Sequence, residues 1–291
     1  MDARIARGLT MPREVLDAEL SPSRSAKDAA ASLGLMVTRT TQALSDPALT
    51  VTRDIAYGAR PRQKLDVFRP AGPGLLPAVI FLHGGFWQEG DKSVSGFAAS
   101  TFAALGWAWI SVGYTLTPEV SLTQLAGEIA QALTLIHETA ADIGLDPRRL
   151  VLAGHSAGGH LAACICADIP KAGLAEKIAG AVLVSGVFDL APIARSYVND
   201  LARITAEETE TLSPLRHKPA RTLPVHMVIG ADEPQAFHDQ SQALRDGWRG
   251  DLPGLTYDVA AGRDHFDVLE ELNATGSPTV RAILWMGRAR G

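Results

Sequence analysis

Arg149-Leu150-Val151-Leu152-Ala153-Gly154-His155-Ser156-Ala157-Gly158-Gly159-His160-Leu161 changes its hydrophobic pattern across a single serine. Leu150 to Ala153 is an unbroken apolar run of the kind a buried strand shows. Ala157, Leu161, Ala162, Ala163 and Ile165 then give the small apolar surface of a buried helix. Ser156 therefore stands where a strand turns sharply into a helix. Gly154 and Gly158 flank it at equal distance, the G-x-S-x-G spacing of a nucleophile elbow. A turn this tight strains the serine backbone and brings strand and helix too close for side chains at the flanking positions. It also presents the hydroxyl above a helix N-terminus, which favours developing negative charge. The plain alternative for the same letters is an ordinary strand–helix turn.

Working outward, Val51 to Tyr57 and Lys64 to Phe68 alternate as an antiparallel pair joined through Gly58-Ala59-Arg60-Pro61. Ala78 to Leu82, Trp107 to Val112, Leu150 to Ala153, Ala181 to Val184 and Val225 to Ile229 are apolar runs without a polar side, which suits parallel strands covered on both faces. Helical patterns fall between and after them, over 94–105, 121–140, 235–248 and 278–288, besides the helix after Ser156. This alternation predicts a mostly parallel α/β sheet with right-handed crossovers and a crevice at the carboxyl ends of the strands. The segment 188–219 interrupts the rhythm with Pro192, Pro214, Pro219 and an acidic helix-like run, Thr205 to Glu210, and reads as a cap-like insertion. Residues 1–50 read as an N-terminal arm of two or three short helices broken at Pro12, Pro22 and Asp46-Pro47, either packed on the domain or lying over the site as a lid. Residues 51–291 form the main domain.

Composition narrows the function. The 291 residues, 46% hydrophobic and 20% charged, are ordinary for a globular chain with a substantial core. A net charge of -5 with scattered Lys and Arg excludes a nucleic-acid or anionic-membrane surface as an expectation. No stretch approaches the ~20 apolar residues of a membrane span, and no secretory signal is read, so a cytoplasmic location is expected. Cys164 and Cys166, two apart on a predicted helix, point in different directions and read as core residues, not as a disulfide or a metal half-site.

A serine hydroxyl needs a general base, and the base an orienting acid, which follow the elbow serine in the order acid, then His. Among eight histidines, His265 lies in the loop after the last strand pattern, Leu255 to Ala260, and is the expected base. His226 and His238 fall inside a strand and a helix, His137 and His217 look solvated, and His155 and His160 lack the spacing of a helical zinc site. The acid should end the preceding strand, where Gly230-Ala231-Asp232-Glu233 offers two carboxylates. The usual turn places it three residues after the glycine, which selects Glu233; Asp232 is its competitor and Asp189 a more distant one. His83-Gly84-Gly85-Phe86-Trp87, directly after a strand, supplies an oxyanion loop whose N–H groups at Gly85 and Phe86, with Ala157 from the elbow, would hold a carbonyl oxygen as it gains charge. His83 is expected to hold that loop instead of acting on substrate.

These motifs, with Tyr114-Thr115-Leu116-Thr117-Pro118, Gly154 to Ala162, Ser185-Gly186-Val187-Phe188-Asp189-Leu190, Ser213-Pro214-Leu215, the spacing from Phe237 to Gln240-Ser241, and His265-Phe266, together resemble the kynurenine formamidase (arylformamidase) branch of the α/β-hydrolase superfamily. The likeness runs from about residue 51 to the C-terminus. It implies the α/β-hydrolase fold, Ser156 as nucleophile, His265 as base and Glu233, four before Phe237, as acid. Members of this branch commonly carry Asp at that position, so the Asp232-Glu233 pair is a departure. The resemblance implies no metal and no cofactor. It suggests a small-molecule partner, an arylformamide such as N-formylkynurenine, cleaved through an acyl-enzyme. A carboxylesterase for short-chain or aryl esters is the alternative, and a non-catalytic binding module of the same fold is the third reading. Trp87 and Tyr114 are expected either to line a substrate pocket or to pack in the core. Oligomeric state is open, with a homodimer admitted.

Overall fold

The computed structural model describes residues 2–288. The chain begins with four helices, α1 (Ala3–Thr10), α2 (Arg13–Glu19), α3 (Pro22–Ser25) and α4 (Ala29–Ser45), before the first strand. Eight strands follow: β1 (Leu49–Ala56), β2 (Lys64–Pro70), β3 (Leu76–Leu82), β4 (Ala108–Val112), β5 (Leu145–His155), β6 (Gly180–Val184), β7 (Val225–Gly230) and β8 (Thr256–Ala260). Between and after them lie α5 (Ala99–Ala104), α6 (Leu122–Thr139), α7 (Ala157–Cys166), α8 (Leu190–Ala194), α9 (Val198–Ala202), α10 (Ala206–Thr211), α11 (Gln235–Trp248) and α12 (Pro278–Met286).

The strands form one sheet in the order β1-β2-β4-β3-β5-β6-β7-β8. β1 and β2 are antiparallel to their neighbours; from β4 to β8 every pairing is parallel. Successive residues of each parallel strand feed two cores, one on each face. Ala78, Ile80, Leu82, Leu150 and Leu152 join α6, α7 and α11 on one side. Val79, Phe81, Trp109, Val151 and Ala153 join α5 and α12 on the other. Burial on both faces is why these strands carry no polar alternation.

The chain leaves β3 for β4 on one side and returns to β5 on the other, so the strand order reverses between β3 and β5. There the loops leaving two adjacent strands separate and open a crevice. Leu82 pairs with Gly154 at that rim, and His155 with Val184 of β6, which sets the ends of β3, β5 and β6 level.

Two local expectations need correction. The helical pattern over 94–105 resolves into a single 3-10 turn, Lys92–Val94, and the short α5, because the Ser95 carbonyl accepts from the Trp109 indole N–H (2.7 Å) instead of continuing a helix. The N-terminal segment carries four helices, and α4 runs for 17 residues after Asp28 caps it by accepting from the Ala31 N–H.

Candidate active site

Ser156 sits at φ 55°, ψ -116°, between the end of β5 and the first residue of α7. A non-glycine residue in this region stores on the order of 1–3 kcal/mol of strain. The surroundings enforce it: a Cβ on Gly154 would lie 2.1 Å from the Gly158 carbonyl oxygen, and one on Gly158 would lie 2.0 Å from that of Leu82. The Ser156 N–H donates to the Val184 carbonyl (2.8 Å), tying the elbow to β6. Its hydroxyl makes no hydrogen bond among the described residues.

The loop after β3 folds over this turn. Gly84 packs so closely that a Cβ there would meet His155 Nδ1 at 2.9 Å and Ser156 Cβ at 3.1 Å. Gly85, Phe86 and Trp87 follow with φ of 110°, 45° and 62°. Among the described residues the N–H groups of Gly85, Phe86 and Ala157 donate to no protein acceptor. The loop is held from behind by the segment after β4. The Tyr114 hydroxyl donates to the His83 carbonyl (2.8 Å), and the Thr117 N–H donates to the Trp87 carbonyl (2.8 Å). His83 stacks on the Tyr114 ring at 4.1 Å, and burial pushes its imidazole down to about 4, so it is neutral and bonds through Nδ1 to the Gly84 carbonyl (2.8 Å).

Of the two expectations for Trp87 and Tyr114, pocket lining or core packing, this arrangement favours the core. Both are 0% exposed. Tyr114 is a prop for the His83 loop, and Trp87 meets the His160 ring edge-on at 4.9 Å inside the core. A ring wholly enclosed by protein offers no face to a substrate entering from solvent.

Glu233 ends the turn after β7, and its side chain is fully buried. One carboxylate oxygen, Oε2, lies 2.6 Å from His265 Nδ1. The other, Oε1, accepts from the Gly230 N–H (2.7 Å) and from the Ser185 hydroxyl. Three bonds thus fix both oxygens and hold the buried carboxylate in one orientation. His265, 3% exposed, has its carbonyl accept from His155 Nε2 (2.8 Å), and the two rings stand 4.8 Å apart. His155 immediately precedes Ser156, so this bond draws the His265 loop against the elbow. Burial, together with the neighbouring His265, drops His155 to about 3 and keeps it a neutral donor. With Nδ1 facing Glu233, Nε2 of His265 is the ring nitrogen left for chemistry. Phe237 and Phe266 flank that imidazole at 4.4 and 5.6 Å, and half-buried Phe86 lies 6.4 Å from Phe237.

The remaining carboxylates stand elsewhere. Asp232 is exposed and pairs with Lys27 (2.9 Å). Asp189 caps α8 by accepting from the Ala191 N–H and accepts from Nε and Nη2 of Arg216. Sequence reasoning overlooked Ser185 and His155 in the roles described above. The only signal for Ser185 was its place at the end of an apolar strand run, before Gly186. His155 carried the signal of adjacency to the nucleophile, without any sign of its partner.

Residues 65–247 match the family described as BD-FAE. Kynurenine formamidase of Salmo salar is 30% identical over 287 residues, covering 92% of this chain and 94% of that protein. Kynurenine formamidase of Danio rerio is 29% identical over 279 residues, covering 90% and 92%. Among solved structures, a candidate thioesterase from Silicibacter sp. TM1040 superposes with a TM-score of 0.81 at 29% identity, covering 92% of this chain and 98% of that one.

Proposed function

We propose a serine-dependent, acyl-enzyme mechanism for this chain, which belongs to the BD-FAE family and to the kynurenine formamidase-like branch of the α/β hydrolases and is a hydrolase of amide or ester substrates. In this reading His265 Nε2 takes the Ser156 hydroxyl proton while Oγ attacks the substrate carbonyl carbon. The oxygen that becomes negative rests on the N–H groups of Gly85, Phe86 and Ala157. His265 passes the proton to the departing nitrogen or oxygen as the carbonyl reforms as an ester on Ser156. A water deprotonated by the same nitrogen then attacks that ester, and Ser156 Oγ leaves with the proton returned by His265, releasing the acid. Glu233 keeps the proton on Nδ1 and stabilises the imidazolium in each half-reaction.

The observation that carries this reading is the buried 2.6 Å contact between Glu233 and His265, on a loop bonded to the residue before Ser156. An imidazole with one nitrogen pinned to a buried carboxylate beside a strained serine is the arrangement that acyl transfer requires. The substrate we propose is an arylformamide of the N-formylkynurenine type, supported by two kynurenine formamidases that match over nine-tenths of both chains and by the phenylalanine rings around His265. Helices α8–α10 then serve as a cap on the strand ends; Gln88 of the oxyanion loop already donates to the Val198 carbonyl of α9 (2.6 Å). No helix among the described residues is long and apolar enough to cross a membrane, and a cytoplasmic location completes the reading.

The test compares kcat/KM on N-formylkynurenine, other formanilides and short nitrophenyl esters. A formanilide preference of at least about tenfold supports the amidase. The reverse order assigns the chain to carboxylesterase chemistry, which uses the same groups.

A further inference from the structure

Lys27, between α3 and α4, touches both loops that carry the buried acid–imidazole pair. Its ammonium pairs with Asp232 (2.9 Å) and donates to the Gly262 carbonyl (2.6 Å). Its own backbone N–H donates to an Asp264 carboxylate oxygen (2.9 Å). Asp232 immediately precedes Glu233, and Asp264 immediately precedes His265. One residue of the N-terminal segment therefore grips each loop a single position from its reactive side chain.

The rest of the segment is anchored on the same side of the molecule. Glu19 accepts from the Ala236 N–H (3.0 Å) beside the first residue of α11, and Arg4 and Arg7 pair with Asp246 and Asp239 farther along that helix. Asp17 accepts from the Tyr197 N–H (2.7 Å) at the start of α9, where Arg13 also meets Asp200. Leu16, Leu20 and Pro22 are buried beneath these contacts. A flap that swings open does not carry attachments at so many points along its length.

We propose that Lys27 is a positioning residue: by tying the Glu233 loop to the His265 loop it sets the alignment of acid and base, which makes residues 2–28 a strap on the active centre and not a lid over it. The proposal rests on the serine-hydrolase reading above. It also gives Asp232 a task distinct from that of Glu233. An ion pair with Lys27 and Asp232 side chains 59% and 44% exposed adds little to stability, so its consequence is geometric. The two loops also bond directly, through the Asp232 N–H to the Arg263 carbonyl and the Ala231 N–H to the Ala260 carbonyl, both 2.9 Å. Loss of Lys27 should therefore loosen the alignment without dismantling it.

The experiment uses the full chain and compares wild type, Lys27→Met, Lys27→Arg, Asp232→Asn and the Lys27→Met/Asp232→Asn double variant. For each, kcat and KM on a short nitrophenyl ester, the rate of Ser156 labelling by an organophosphonate, and Tm are measured. Lys27→Met should lower kcat and the labelling rate together by about tenfold, with KM held within about twofold and Tm shifted by no more than about 3 °C. Asp232→Asn should match it, the double variant should be no slower than the worse single one, and Lys27→Arg should restore most of the loss. A Lys27→Met kcat within about twofold of wild type, or losses that multiply in the double variant, overturns the strap. If Lys27→Met loses Tm and kcat together, an arginine variant that regains Tm without regaining kcat overturns it as well. Wild-type protein that takes no phosphonate on Ser156 refutes the nucleophile itself, and the strap with it.

Discussion

The two halves of the proposed active centre are built in different ways. The elbow at Ser156 and the loop from His83 to Trp87 carry strain in their own backbones, with positive φ angles at Ser156, Gly85, Phe86 and Trp87 and glycines at 154 and 158 where a Cβ would strike a carbonyl, while Tyr114 and Thr117 brace the loop from behind. The loops of Glu233 and His265, apart from the local bond from the Gly230 N–H to Glu233, are held mainly by residues from elsewhere. Ser185 reaches Glu233 across 48 positions, His155 reaches the His265 carbonyl across 110, and Lys27 reaches Asp264 across 237. Backbone strain is concentrated at Ser156 and at 85–87, the proposed nucleophile and oxyanion donors. Long-range hydrogen bonds predominate around His265, the proposed base.

Substitutions in the two halves should therefore fail differently. The largest effect that separates partners within the distant half is at the adjacent carboxylates. Glu233→Gln keeps the shape but removes the charge that holds the His265 tautomer, and kcat should fall by about 10³- to 10⁴-fold. Asp232→Asn should cost no more than about tenfold, since Asp232 touches Lys27 and not the imidazole. A collapse in the second variant with the first spared would reassign the acid.

The local half should respond to backbone and not to charge. Gly85→Ala places a Cβ 2.4 Å from the Glu89 carbonyl oxygen at a φ of 110°, which must shift the donors at 85 and 86. The expected loss is about 10²-fold in kcat with little change in KM, read from initial rates over a substrate series. If KM rises instead and kcat holds, this loop binds substrate without stabilising the transition state.

The smallest effect lies outside both halves and isolates burial as a cause. His226 on β7 bonds to Thr256 and Thr279, and burial pushes it down from 6.5 to about 4. A histidine depressed in this way is neutral in the folded chain and takes up a proton on unfolding. Its contribution is complete above about pH 6.5 and disappears as pH falls toward 4. Urea unfolding across that window should show a pH slope that is shallower in His226→Asn, by up to about 1.4 kcal/mol per pH unit. Equal slopes in the two proteins would mean that His226 is not held neutral.

The same division explains what could be read from the sequence. The parallel strands, the elbow turn and the glycine loop after β3 announced themselves because their causes are local, in apolar runs and glycine spacing. Glu233 was legible for the same reason: its bond to the Gly230 N–H closes a turn three residues long. Ser185, His155 and Lys27 gave no comparable signal, because each acts on a partner that only the folded chain brings near. Trp87 and Tyr114 were left undecided for another reason. Aromatic residues next to a motif look alike in sequence whether they face solvent or core, and here both are enclosed. The helix over 94–105 failed because one tertiary bond, from the Trp109 indole to the Ser95 carbonyl, outweighed local periodicity.

The central claim is that Ser156 and His265 act as one unit, and a double-variant cycle tests it most directly. Measured by kcat on whichever substrate is turned over fastest, Ser156→Ala and His265→Ala should each lose about 10⁴-fold or more, and the protein carrying both should be no slower than either alone. Losses that multiply in the combined variant, or near-normal turnover in Ser156→Ala, would contradict the account.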